Sequence, residues 1–269
     1  MIEFREPSRT GFELGWSLFG IRFRIFPSFF VYYGILAAIL IYLFVSQDLV
    51  IVAIGTAIDV ACITVAFLFI GFVQGLVYLS YRLRSTVVLR EFSTGVYPQA
   101  APPYTIERIV VALANPAACL LLFALVYYSD QQYGWSKTSV LAQVVYIFLK
   151  FISLFWAIVG LLPILPYSGG QVMSEVLSYL FGVRGFALAL MISIGVAAAY
   201  IIYVVAVRFG KYPEIELLDG VWLPASIILA IFFALSISSN WQMLQVTQAQ
   251  RRQYSSYDDQ YDDRTPWER

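Results

Sequence analysis

Six stretches of this chain run for close to 20 residues with almost no charge, and they decide the class of fold before any motif is read. They extend approximately from Ser28 to Val45, Val60 to Ser80, Arg108 to Tyr128, Thr138 to Leu162, Gly185 to Val207 and Val221 to Ser239. A bilayer core of about 30 Å takes roughly 20 apolar helical residues to cross. Buried helices of a soluble protein would keep a polar face, which these runs lack. Composition agrees: 60% of residues are hydrophobic and 13% charged, against about 45–50% and about 25% in soluble domains. The sequence predicts an all-α polytopic membrane protein with about six transmembrane helices.

An even number of spans puts both ends on one side, and basic residues identify it. Arg5, Arg9, Arg22, Arg24, Arg82, Arg84, Arg90, Arg108, Arg184, Arg251, Arg252, Arg264 and Arg269 all fall on the side of the termini; only Lys137, Arg208 and Lys211 fall opposite, and Lys150 lies inside a span. The termini are therefore expected in the cytoplasm, and the protein in a cytoplasmic membrane of bacterial type. Glu3, Glu6 and Glu13 interrupt the region where a cleavable signal peptide would place its apolar core, so the first run is expected to serve as the anchor. The formal net charge is zero, which gives no field to recruit nucleic acid; the expected partner is the lipid bilayer. Cys62 and Cys119 fall inside spans and are expected to pack as small apolar groups.

Two short segments have a different period. Ile21-Arg22-Phe23-Arg24-Ile25 alternates apolar and basic residues, and Ser85 to Phe92 is strand-like and closed by Gly95 and Pro98. A small membrane-associated β-sheet on the cytoplasmic side satisfies their backbone groups. The Tyr- and Asp-rich end, with Tyr254, Tyr257, Tyr261, Asp258, Asp259, Asp262 and Asp263, cannot build a core. The expected division is an N-terminal cytoplasmic segment over 1–27, a six-helix membrane domain over 28–245 and a disordered tail over 246–269.

Three spans carry residues that membrane helices tolerate only where protein or water re-satisfies the backbone. They are Gly71 and Gly75 in the second, Asn115-Pro116 in the third, and Leu161-Leu162-Pro163-Ile164-Leu165-Pro166-Tyr167-Ser168-Gly169-Gly170 closing the fourth. Gly75 precedes Arg82, and Asn115 follows Arg108, by the same number of residues, which places both roughly 10 Å inside the boundary. Gly71, Gln74, Gly75, Asn115, Cys119 and Ser168 are expected to line a cavity open to the cytoplasm, with Gln74, Asn115, Cys119 and Ser168 as its binding residues.

These elements resemble those of the site-2 proteases, a family of intramembrane zinc metallopeptidases. Ile25-Phe26-Pro27-Ser28-Phe29-Phe30 resembles the family's lead into its first span, usually written with His before Pro. Ala114-Asn115-Pro116-Ala117-Ala118-Cys119 resembles A-G-P-x-x-N, and Gly160 to Gly170 resembles N-L-L-P-x-x-P-L-D-G-G. Ser239-Asn240-Trp241-Gln242 resembles the polar close of the final span. The resemblance covers roughly Ile21 to Gln245 and implies a zinc site held by H-E-x-x-H near the end of the second span and by an Asp before the double glycine.

The chain departs from that pattern at the zinc positions. It contains no histidine. The stretch corresponding to H-E-x-x-H reads Gly71-Phe72-Val73-Gln74-Gly75, or Phe72 to Leu76 in the neighbouring register, and the Asp position is Ser168. The two flanking Asn positions are Gly160 and Cys119. Gly71, Phe72, Gly75 and Ser168 are thus vestigial, with no catalytic role and no metal site expected. Bound zinc lowers the pKa of water from about 15.7 to about 7, worth about 12 kcal/mol of nucleophile activation. General acid or base help supplies roughly 3–5 kcal/mol. Asp59 is expected to cap the second span about 18 Å from Gly71, and Glu175 to sit at the start of a helix after Gly170; neither replaces the missing ligands.

What the resemblance implies, less its chemistry, is a non-catalytic pseudoprotease that binds or regulates membrane-spanning clients. Family substrates present an extended segment to a sheet edge, and strand addition uses backbone hydrogen bonds that need no zinc. No cofactor is expected, and the expected partner beyond lipid is a single-span membrane protein. Two alternatives stay open at this point: an active intramembrane metalloprotease with a non-standard metal site, and a small-molecule or ion transport protein.

Overall fold

The computed structural model describes residues 13–31, 33–34, 49–90, 94–209 and 222–260, so the run from Ser28 to Val45 lies largely outside the described residues. Five helical segments among those described are long and apolar enough to cross a membrane: Ala53–Ser80, Thr105–Tyr133, Val140–Leu161, Arg184–Ala206 and Leu229–Ala249. In chain order the elements are β1 (Leu14–Leu18), β2 (Ile21–Ile25), α1 (Leu49–Ser80), β3 (Ser85–Leu89), β4 (Thr94–Pro98), α2 (Thr105–Tyr133), a 3-10 turn (Trp135–Lys137), α3 (Val140–Leu161), α4 (Ser168–Phe181), α5 (Val183–Phe209) and α6 (Trp222–Gln260). They divide into two units, Met1–Leu161 and Leu162–Arg269.

In the first unit the four strands form one sheet in sequence order. β1 and β2 are an antiparallel hairpin whose two-residue turn, Phe19-Gly20, has positive φ at both positions (51° and 82°), the conformation whose twist matches the flanking strands. β2 and β3 are parallel, and their connection is the whole stretch that includes α1. β3 and β4 are antiparallel. The sequence reading expected two strands; β1 and β4 are additional. Gly95 and Pro98 lie inside β4, where an edge strand tolerates them, rather than ending the sheet before it.

The alternation in β2 and β3 fixes how the sheet meets the helices. Ile21, Phe23, Ile25, Val87 and Leu89 enter one core with Phe67 and Ile70 of α1, Ala118 and Cys119 of α2 and Ala157 of α3. On the other face Arg24 is buried in an ion pair, its guanidinium 2.7 Å from the Glu13 carboxylate. The α2–α3 turn is closed by Gly134 in the left-handed region (φ 61°), whose N–H donates to the Asp130 carbonyl. The Asp130 carboxylate accepts from the Ser136 N–H at 2.8 Å. Lys150, the cation inside α3, rests its ammonium 5.3 Å from the Tyr146 ring and 5.9 Å from the Tyr127 ring, a pairing that lowers the cost of a charge at that depth.

Three expected boundaries shift. α1 begins at Leu49 rather than near Val60, because residues 49–58 are apolar and continue the helix, so Asp59 lies within α1 instead of capping it. α4 begins at Ser168 and includes Gly169 and Gly170, which puts Glu175 two turns inside the helix rather than at its start. α6 runs through Gln260, past the tail boundary expected at 246. From Ala225 to Thr265 there is no glycine or proline to break the ladder, and Gln, Ala and Arg sustain a helix well.

Candidate functional site

The α1 residues that stand where the zinc motif is expected are packing residues. Gly71 and Gly75 are buried on the face of α1 that meets the sheet. A Cβ on Gly71 would overlap Val87 Cγ1 and lie 2.8 Å from Thr94 Oγ1, while one on Gly75 would lie 3.0 Å from Ile21 Cδ1. Glycine at these positions lets β2 and β3 approach the helix closely. Phe72, one residue round, packs against the same core, its ring 6.2 Å from that of Phe19.

Gln74 turns toward α2. Its side-chain amide donates to the Val111 carbonyl at 3.4 Å, one turn before Asn115. Pro116, which carries no N–H, leaves the neighbouring Ala112 carbonyl without its helical donor. Cys119 is fully buried in the core and its thiol donates to Asn115 Oδ1 at 3.8 Å. Gly160 of α3 comes close to Pro116, since a Cβ there would lie 3.8 Å from Pro116 Cβ. The first unit therefore gathers Gln74, Asn115 and Cys119 along α2 around Pro116. The expected cavity lining does not hold for Gly71, Gly75 and Cys119, whose surroundings are filled by side chains.

Ser168 belongs to the second unit, where it is 7% exposed at the first position of α4. The loop leading to it is fixed by Asn240, which the sequence reading placed in the polar close of the final span, and by Ser193, which it did not single out. The Leu165 N–H donates to Ser193 Oγ at 2.8 Å, and the Leu165 carbonyl accepts from Asn240 Nδ2 at 3.0 Å. Asn240 also donates to Ser193 Oγ at 2.7 Å. Gly170 lets the first turn of α4 fold back on this loop, because a Cβ there would overlap Ile164 C and Leu165 N. For Ser193 the signal available in the sequence was a polar residue in an otherwise apolar run, Gly185 to Val207. Burial pushes the neighbouring Tyr167 phenol above its ordinary pKa against the opposing pull of a hydrogen bond with Ser236, so it stays neutral at physiological pH.

These residues do not fit a zinc ion. Two of the vestigial positions are glycines pressed on a sheet, a third is Phe72, and the fourth is a buried serine hydroxyl, a poor ligand beside the thiolate, imidazole and carboxylate that zinc takes. Among the described residues no three Cys, Asp or Glu side chains gather to hold a metal. Asp59 lies twelve residues from Gly71 on the same helix.

No family model and no curated protein matches the chain. Among solved structures, the site-2 protease from Methanocaldococcus jannaschii is similar, with a TM-score of 0.53 at 14% identity over 86% of this chain and 94% of that protease. At that identity the likeness is one of fold. With its spanning helices and small sheet, the chain is an integral membrane protein of site-2-protease-like architecture.

Proposed function

We propose that this protein is a non-catalytic relative of the site-2 proteases that holds a membrane-spanning client by adding a client strand to its sheet, with both termini on the cytoplasmic side. The observation that carries the reading is the use made of the α1 face at Gly71 and Gly75: the positions expected to carry metal ligands are occupied by contact with Val87 and Ile21. Such a face supports a built sheet in place of a reaction centre.

The sheet edge supports the client half of the reading. β3 is no edge: it has strands on both sides and Leu89 is fully buried. The edge offered instead is β1, exposed along its whole length, with Leu14 58% and Trp16 41% accessible. Exposed apolar edge strands template pairing with another chain.

A photocrosslinker at Trp16 should capture a discrete membrane protein in cells. In the hairpin register Leu18 and Ile21 form the hydrogen-bonded pair that closes the turn, so the Gly15 N–H points away from β2. Gly15→Pro removes that outward donor without breaking the ladder and should lower capture by roughly tenfold, the value of one or two strand hydrogen bonds. Capture of bulk lipid alone, or capture indifferent to Gly15→Pro, rejects strand addition.

A further inference from the structure

At the end of the sheet where the β1–β2 turn meets the start of β3, a cavity of about 310 Å³ is lined by Ser17, Arg22, Arg84, Ser85, Thr86 and Gln99 beside Gly20. Every side chain in that lining is a hydrogen-bond donor, and none is acidic. Arg22 and Arg84 make no ion pair among the described residues, and both are exposed. Ser85 is 4% exposed and its hydroxyl is closed off from the cavity, so Ser17, Thr86 and Gln99 supply the neutral donors.

The position of the cavity says which ligand. Arg84 follows the end of the Ala53–Ser80 span by four residues, so the site lies where hydrocarbon gives way to headgroups. β3 runs back along α1 from there, with Val87 reaching Gly71 deeper in the span. Beside the cavity, the hairpin exposes Leu18 (46%) and Phe19 (73%) at its tip. Basic donors next to exposed apolar side chains at this level match a phosphate carrying acyl chains better than a free anion.

We propose that this cavity binds the phosphate of an anionic phospholipid headgroup. The two guanidinium groups take the phosphate oxygens, as planar donor forks do well. The Ser17 and Thr86 hydroxyls and the Gln99 amide hold the remaining headgroup oxygens, and Leu18 and Phe19 lie against the acyl chains. On the side of the termini this is the leaflet in which anionic lipids act on juxtamembrane basic residues. The site shares Ser17 and Leu18 with the end of β1 but not Gly15, so Gly15→Pro tests the client edge without removing a cavity side chain.

The test is native mass spectrometry of the delipidated full chain titrated with dioleoylphosphatidylglycerol or dioleoylphosphatidylcholine. The expected result is preferential retention of phosphatidylglycerol, weakened about 30-fold by joint Arg22→Gln and Arg84→Gln, at the usual value of a basic residue near a headgroup. Gln99→Leu changes no charge and should weaken retention about 5-fold, while Lys137→Gln should leave it unchanged. Equal retention of both lipids overturns the proposal. So does an Arg effect without a Gln99 effect, which marks a diffuse basic surface. Complete competition by excess inorganic phosphate also overturns it, by assigning the cavity to a free anion.

Discussion

Restoring the zinc ligands is expected to destabilise this protein and not to give it a metal centre. Consider Gly71→His, Phe72→Glu and Gly75→His combined with Ser168→Asp, which rebuilds the side chains that the family resemblance calls for. An imidazole at 71 enters space held by Val87, a fully buried side chain of β3, and one at 75 enters space held by Ile21. Overpacking of this kind costs about 1–3 kcal/mol per site, so the two glycine positions together cost roughly 2–6 kcal/mol of a total that is about 5–15 kcal/mol in ordinary proteins. Cys62 and Cys119 are both buried, so a thiol-reactive dye reports the unfolding of the first unit. Its midpoint should fall by roughly 5 °C or more, and the metal content of the folded fraction should stay far below one zinc per chain. Stoichiometric zinc in a variant with the parent's melting point, or cleavage of a membrane substrate that a chelator abolishes, would falsify the packing account. The single alanines give a finer check: Gly71→Ala overlaps Val87 Cγ1, whereas Gly75→Ala meets Ile21 Cδ1 at 3.0 Å and Cγ2 at 3.1 Å, contacts that a shift of a few tenths of an ångström relieves. Gly71→Ala should be the more destabilising of the two.

The contrast between those glycines and the rest of the chain explains what was legible in the sequence. Apolar runs and the period of Ile21 to Ile25 report on solvent, because a bilayer and a half-buried sheet each impose a pattern that no single residue can hide. The spanning helices and the sheet were accordingly readable. Glycine reports only that something comes close. At 71 and 75 the sequence was consistent with a ligand-lined cavity or a packed strand, and what lies against them, Val87 and Ile21, is set by a parallel β2–β3 pairing formed across the intervening stretch. The same limit hid the edges. Leu14 to Leu18 has apolar residues at alternate positions, but Gly15 weakened the pattern, and the left-handed Phe19 in the turn is a conformation few residues other than glycine adopt. Pro98, read as a terminator, is compatible with an edge strand. Asn240 was visible through its resemblance to the family's polar close of the final span, yet its partner is a backbone group 75 residues earlier in the chain.

That long-range pairing supports the second large effect. Asn240→Leu keeps the side-chain volume close to that of the parent and removes the donor to the Leu165 carbonyl and to Ser193 Oγ. Asn240 is 2% exposed and Ser193 fully buried, so water does not replace what is lost. An unsatisfied buried carbonyl costs about 1–3 kcal/mol, and losing the second bond from the same amide brings the expected destabilisation to about 2–4 kcal/mol. Ser193→Ala removes the acceptor of the Leu165 N–H instead. Because the Asn240–Ser193 bond is lost in both single variants, their combination should cost less than the sum, by about 0.5–3 kcal/mol. Heating followed by size-exclusion chromatography measures all three, and strict additivity, or an Asn240→Leu protein as stable as the parent, would show that the network does not hold the loop. A local readout separates this from general weakening. Ser168→Cys, made where Cys62 and Cys119 are alanine, places a thiol at the position 7% exposed at the start of α4. Below the melting transition its labelling should quicken at least several-fold when Asn240 is leucine, because the same amide that satisfies Leu165 also sets where the helix carrying Ser168 can begin.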